Sequence, residues 1–135
     1  MALQASVTVR NARADAVETA IGASAVLKIR TGAQPADCAT ADSGTVLATL
    51  SLPSDWMDAA SSGAKAKAGT WQDTSADASG TAAHFRVYAS DGTTCHLQGS
   101  VTVTGGGGDL TLDNTSVNAG QAVTITTFGW TEPNS

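Results

Sequence analysis

The sequence predicts a mainly β fold, a β-sandwich or jelly-roll-like small barrel of about seven to eight strands with one short N-terminal helix. Short runs that alternate apolar and polar residues recur along the chain, and Asp, Asn, Gly and Pro separate them. A chain of 135 residues is long enough to bury a core without help from metals or disulfides. We therefore expect a single domain over residues 1–135.

The first ten residues alternate with a period of two, which predicts a strand or an extended N-terminal arm over residues 1–10. The apolar members of this alternation include Leu3, Val7 and Val9. Asn11 can cap a short helix of about ten residues that follows, with its apolar residues on one face. Such a short helix needs tertiary packing to persist.

Two strands are predicted next. Residues 26–30 and residues 45–52 both alternate, and Pro53 ends the second run. Between them, residues 32–44 contain glycine, proline and aspartate, which predicts a loop.

The following stretch is less regular. Residues 54–60 are expected to form a helical turn anchored by Trp56. Residues 65–71 are a candidate strand that places Lys65 and Lys67 on its outer face. Lysines on an outer face discourage edge-to-edge pairing between sheets, so this strand is expected at an edge.

Two longer strands are predicted at residues 82–89 and 94–104, joined by Asp91-Gly92. An Asp-Gly pair between alternating runs is a strong hairpin signal, because both residues tolerate positive φ.

The C-terminal part begins with four consecutive glycines, residues 105–108. No lysine is near and a β pattern follows, so this is no phosphate-binding loop. It is either a mobile linker or a place where another backbone comes close. Residues 110–112 and 122–130 are further strands, and residues 131–135 are expected to be a flexible tail.

Charge and hydropathy exclude several classes of function. The net charge is −5, with seven basic and twelve acidic residues, so we expect no nucleic-acid partner, because phosphate backbones bind through Lys and Arg. No run approaches the roughly twenty apolar residues of a membrane span, and the N-terminus does not have the pattern of a signal peptide. We expect synthesis in the cytoplasm and no membrane partner.

The soft metal-ligand types are Cys38, Cys95, His84 and His96. Adjacent residues in a strand face opposite sides, so Cys95 and His96 cannot easily share an ion. Two packed free thiols are the simpler interpretation of the cysteines, and a Cys38–Cys95 disulfide is the alternative. We expect no metal and no cofactor.

Catalytic motifs are missing from the sequence. It has no G-x-S-x-G elbow, and each histidine lies within a strand pattern. We therefore expect no enzymatic activity. Trp56, Trp71 and Trp130 are either core anchors or a platform that binds carbohydrate.

Three segments carry a resemblance to a known group of proteins. They are LKIRTGAQPADCATADSGTVLAT (27–49), GTWQDTSADASGTAAHFRVYASDGTTCHLQG (69–99) and GGGGDLTLDNTSVNAGQAVTITTFGWTEP (105–133). Together they resemble the small structural proteins of tailed bacteriophages, of the capsid cement or decoration type.

The resemblance implies a virion protein on the capsid surface, assembled in the host cytoplasm. Its partner would be a major capsid protein, and the protein itself would be a homo-dimer or homo-trimer. In this interpretation Leu3, Val7 and Val9 add a strand to a partner sheet. Lys65 and Lys67 either meet acidic patches of the capsid or simply form a solvated strand edge. The alternative function is a tail- or fibre-associated module that recognises a host-surface glycan.

Overall fold

A computed structural model of the protein describes residues 3–132. The elements, in chain order, are α1 Val7–Ile21, β1 Val26–Arg30, β2 Val46–Ser51, β3 Ala64–Ala66, β4 Trp71–Asp73, β5 Gly80–Thr81, β6 His84–Tyr88, β7 Cys95–Val103, β8 Leu110–Leu112, β9 Ser116–Val117, β10 Val123–Ile125 and β11 Gly129–Thr131. The predicted class, mainly β with a short N-terminal helix, is confirmed. The described part has eleven strands rather than seven or eight because many have only two or three residues.

The central sheet has five strands in the order β2-β1-β6-β7-β8. Strand β1 is antiparallel to both β2 and β6, and β6 is antiparallel to β7. Three two-stranded ladders, β4–β10, β3–β11 and β5–β9, complete the β structure. Sheet and ladders contribute to one buried apolar cluster, whose largest members include Leu27, Ile29, Leu50, Trp56, Trp71, Phe85 and Ile125.

The hairpin between β6 and β7 turns at Asp91-Gly92, as predicted. Only Gly92 has positive φ, +72°, so the turn differs from the type in which both residues do. The Asp91 carboxylate accepts hydrogen bonds from the backbone N–H groups of Thr93 and Thr94 and from the Thr94 hydroxyl. These bonds hold the pKa of Asp91 well below its usual range.

The prediction of a strand or extended arm over residues 1–10 is wrong for residues 7–10, which form the first turn of α1. Ser6 is the N-cap, and its hydroxyl accepts a hydrogen bond of 3.2 Å from the Val9 N–H. The helix therefore begins before Asn11, the predicted cap. The alternating Val and Thr of residues 7–9 have a high propensity for strands. The Ser6 cap and tertiary packing nevertheless stabilise a helix at these positions. Residues 1 and 2 lie outside the described part.

Two other local predictions are wrong. Residues 54–60 form no helical turn, since Met57 instead makes a β-bridge with Lys67. Trp56 is nevertheless a buried anchor, as expected. The predicted strand over residues 65–71 is two strands, β3 and β4, that belong to different ladders.

The prediction of a flexible tail over residues 131–135 is also wrong for residues 131 and 132, which the structure describes. Thr131 belongs to β11, and the Glu132 N–H donates to the Gly63 carbonyl over 2.8 Å. The Glu132 carbonyl in turn accepts from Nε of Arg10 over 3.0 Å, which ties this segment to α1. Residues 133–135 of the predicted tail lie outside the described part.

The glycine run lies in the tight connection between β7 and β8, which pair in parallel. Parallel neighbours usually need a crossover of about a dozen residues, and here residues 104–109 suffice. A Cβ on Gly108 would lie 2.8 Å from Oγ1 and 2.9 Å from the backbone N of Thr102. Close backbone approach, the second of the two interpretations, therefore explains why glycine occupies this position.

Candidate functional site

One face of the central sheet is polar, and a loop covers it. Side chains alternate along β6, so Phe85 and Val87 enter the core while His84, Arg86 and Tyr88 face the other way. All five β6 residues are nevertheless buried, because residues 31–45, here called the covering loop, lie over the second face.

Asp42 of the covering loop is the centre of this polar face. Its carboxylate accepts hydrogen bonds from Arg86, from Arg30 over 2.9 Å and from the Tyr88 hydroxyl over 2.7 Å. Arg86 also donates to the carbonyls of Asp37 and Thr40, each over 3.0 Å. The Arg86 side chain is 1% exposed and that of Arg30 is 7% exposed, whereas that of Asp42 is 40% exposed.

The electrostatics of this network favour the charged form of Asp42. Burial raises the pKa of its carboxyl, but the hydrogen bonds from Tyr88 and Arg86 and the charge of Arg30 outweigh burial and lower it. The carboxylate is thus ionised and engaged with three donors. We infer that the network holds the covering loop on the sheet.

The chain has one tyrosine, so the absorbance of its phenolate tests this environment directly. Burial, and next the hydrogen bond to Asp42, raise the pKa of Tyr88 to about 12. We expect the folded protein to titrate near that value and the urea-unfolded protein near about 10. Because the folded pKa is the higher one, Tyr88 contributes stability that is present below about pH 10 and lost as the pH rises toward the folded pKa. Equal titration in both states would contradict the buried hydrogen bond.

Lys65 does not have the predicted exposed position. Its side chain is 2% exposed, and its ammonium contacts Asp15 at 2.6 Å and Glu18 at 2.7 Å. Both acids lie on α1, so this charged cluster joins the helix to β3. Burial lowers the pKa of Lys65, but the hydrogen bonds to Asp15 and Glu18 outweigh burial and raise it. The prediction that Lys65 lies on an outer face is therefore wrong.

Replacing this buried ammonium should destabilise the protein. We expect Lys65→Met to lower the free energy of unfolding by roughly 1–2 kcal/mol, because the partly buried Glu18 carboxylate loses its counter-ion. Lys67→Met is the matched control and should cost less than about 1 kcal/mol, since Lys67 is only half-buried. Urea denaturation at neutral pH measures both. Equal losses in the two variants would show that the charged cluster contributes little.

Lys67 is engaged within the protein as well. Its ammonium donates to the Gly69 carbonyl over 2.7 Å and lies 5.8 Å from the ring centroid of Trp71. The Lys67 side chain is half-buried and so still partly accessible to solvent. Its contacts with Gly69 and Trp71 reduce the freedom of the ammonium to reach a partner.

Three of the four large apolar side chains that are exposed in the described part lie close together in sequence, one just before α1 and two in its first turn. Leu3 is 90% exposed, Val7 51% and Val9 48%. We call these three residues the apolar N-terminal turn. Along the helix behind it, the exposed positions include Ala12, Ala16 and Ala20 at four-residue spacing, so the outer face of α1 is small and mostly uncharged.

A groove of about 590 Å³ opens between α1, the β6–β7 hairpin and β11. Its apolar lining includes Phe85, Leu97, Phe128 and Trp130, together with Val17 of α1. The Trp130 indole N–H is buried and has no hydrogen-bond partner in the part of the chain that the structure describes. The volume is in the range of small-molecule sites.

The three tryptophans do not form one platform. Trp56 and Trp71 are fully buried and are core anchors, with indole N–H groups that donate to the carbonyls of Gly22 and Ala68. Only Trp130 is half-buried and lines the groove.

Within residues 3–132, no group of three His, Cys, Asp or Glu side chains is placed to hold an ion.

No protein-family model, curated protein or solved structure matches the chain. The described helix is also too short to cross a membrane.

The two cysteines meet although 57 residues separate them in sequence. Cys38 belongs to the covering loop and Cys95 begins β7, and their sulfurs are 2.7 Å apart. Both are half-buried free thiols. The sequence pointed to this pair because it contains no other cysteine.

Sequence reasoning missed the partners of the charged side chains. Nothing local showed that Asp42 would cover the polar face of β6. Nor did any local pattern show that Asp15 and Glu18 would be the partners of a lysine. Their contacts with Lys65 depend on how α1 packs against β3.

Proposed function

We propose that the protein is a non-enzymatic virion structural protein that binds the outer surface of a tailed-phage capsid. As a cement or decoration protein it stabilises the lattice of the major capsid protein. The observation that supports this best is the apolar N-terminal turn, where Leu3, Val7 and Val9 are exposed next to a helix whose other exposed residues are mostly uncharged. Few charges need to be desolvated when such a surface is buried.

The manner of contact differs from strand addition. Residues 7–10 are helical, so the turn offers side chains rather than free backbone groups to its partner. A helix end of this kind fits an apolar groove on the major capsid protein. Each contact is small, but a closed lattice repeats it many times, and avidity then provides the stability.

Capsids that lack the protein provide the test. We expect added wild-type protein to sediment with such heads and to raise the temperature at which they release DNA. Val7→Asp and Val9→Asp should weaken this binding at least tenfold, because a buried unpaired charge is costly. Val103→Asp is the matched control, since Val103 is 47% exposed and lies on β7 rather than on α1.

Two outcomes would contradict the proposal. Heads that neither bind the protein nor gain heat stability from it would exclude the cement function. Equal loss with Val103→Asp and Val7→Asp would exclude the apolar N-terminal turn as the contact. Sedimentation of the purified protein tests the accompanying proposal of a homo-dimer or homo-trimer, and a monomer at all accessible concentrations would contradict it.

The groove favours a second candidate function, a tail- or fibre-associated module that binds a host-surface glycan. Trp130 offers an aromatic surface there, and the carboxylates of Asp109 and Glu132 lie at the same groove. Sugars bind through this combination of stacking and polar contacts. Trp130→Ala should abolish glycan-array binding while the fold persists. A glycan signal that survives this substitution would exclude the groove.

A further inference from the structure

The covering loop is fixed to the sheet at several points, and one of them can become covalent. The Gln98 amide of β7 donates to the Pro35 carbonyl over 2.8 Å, and Arg86 donates to the carbonyls of Asp37 and Thr40. Cys38 lies among these anchors. Its sulfur is 2.7 Å from that of Cys95, so closure of a bond between them needs little movement of either chain segment.

We propose that Cys38 and Cys95 form a reversible disulfide that clamps the covering loop onto β7. The oxidant is a low-molecular-weight disulfide such as oxidised glutathione. This inference rests on the position of the two sulfurs and does not depend on the proposed capsid function.

The reaction runs by two exchanges. The Cys38 thiolate attacks one sulfur of oxidised glutathione, forms a mixed disulfide and releases one glutathione thiolate, which takes up the proton that Cys38 lost. The Cys95 sulfur then attacks the Cys38 sulfur, loses its proton and expels the second glutathione as a thiol. The protein gives up two protons and two electrons, and one oxidised glutathione becomes two reduced glutathiones.

The order of attack follows from the environment of Cys95. Burial, and next the neighbouring Cys38 thiol, raise the pKa of Cys95, which lowers its thiolate fraction and disfavours it as the first nucleophile. Once the mixed disulfide has formed on Cys38, the adjacent Cys95 sulfur attacks within the same molecule. The mixed disulfide should therefore not accumulate.

The disulfide should also change stability. It would close a loop across 57 residues and so restrict the unfolded chain. From the usual effect of such a cross-link, we expect the melting temperature to rise by roughly 10 °C on oxidation. Added reductant should reverse the shift.

The full-length protein, incubated with oxidised glutathione and then analysed by intact mass and thiol alkylation, tests the proposal. We expect the wild type to lose the mass of two hydrogens, to retain no alkylatable thiol and to remain the same size. Cys38→Ser and Cys95→Ser should each show no rise in melting temperature, and a glutathione adduct is the most that either can form. Wild-type protein that carries two glutathiones, links to a second chain or keeps both thiols free would overturn the proposal.

Discussion

Asp42→Asn is expected to lower the free energy of unfolding by about 2–3 kcal/mol, because it leaves two buried guanidinium groups without their carboxylate. The Arg86 and Arg30 side chains are 1% and 7% exposed, but that of Asp42 is 40% exposed, so water offsets part of the lost interaction. Tyr88 would also lose an ionised acceptor. The midpoint of urea denaturation at neutral pH measures the change.

Asp55→Asn is the matched control. It removes the same charge from an exposed carboxylate for which the structure describes no hydrogen bond, and we expect a change within about 0.5 kcal/mol. If both variants lose equally little, the loop carbonyls alone satisfy Arg86 and the proposed role of Asp42 in fixing the covering loop is wrong.

The pH dependence gives an independent measurement of the same group. The pKa of Asp42 is lowered in the folded state, so its contribution is present above the unfolded value of about 3.9 and is lost as the pH falls through the folded pKa. Asp15, Asp37 and Asp91 have lowered pKa values as well. Asp42→Asn should therefore flatten the acid limb of the stability curve without abolishing it.

The sequence predicted the elements whose signals are local. Alternation over residues 26–30 and the Asp91-Gly92 turn gave β1 and the β6–β7 hairpin, because strand period and turn chemistry are properties of neighbouring residues. The start of α1 was missed for the converse reason. Val7 and Val9 are β-branched and therefore favour a strand. Only the serine cap and the packing of α1 against β3 favour the helix.

Local sequence patterns could not predict contacts between residues that are far apart in the sequence. Lys65 was predicted to be exposed because lysines usually are, yet two carboxylates on α1 provide partners that make burial tolerable. Asp42 likewise becomes a network centre only when the covering loop folds back onto β6. Leu3, Val7 and Val9 of the predicted arm remain exposed in the structure, although Val7 and Val9 belong to a helix.

Trp71→Ala is expected to be as severe as any single substitution in the core, with a loss of about 3–5 kcal/mol in the free energy of unfolding. Trp71 is fully buried. Its ring lies 6.0 Å from that of Trp56 and 5.4 Å from that of Phe128. A small β domain is stable by only about 5–15 kcal/mol, so much of the margin would be lost.

Two controls separate the cavity from other effects. Trp71→Phe retains a ring and should lose a smaller amount, roughly 1–2 kcal/mol, for the missing volume and the hydrogen bond to Ala68. Trp130→Ala removes a half-buried indole and should cost less than Trp71→Ala. A Trp71→Ala variant as stable as Trp130→Ala would mean that the core collapses around the gap.

The position of Trp71 also connects stability to the groove. Phe128 packs against Trp71 on one side and against Phe85 and Trp130 on the other, with centroid distances of 5.4, 5.6 and 6.2 Å. Loss of the Trp71 ring should free Phe128 to move into the gap and enlarge the groove that Trp130 lines. We therefore expect Trp71→Ala to bind an apolar fluorescent dye more tightly than the wild type does, under conditions where both are folded. Unchanged dye binding would show that Phe128 is held by its other neighbours.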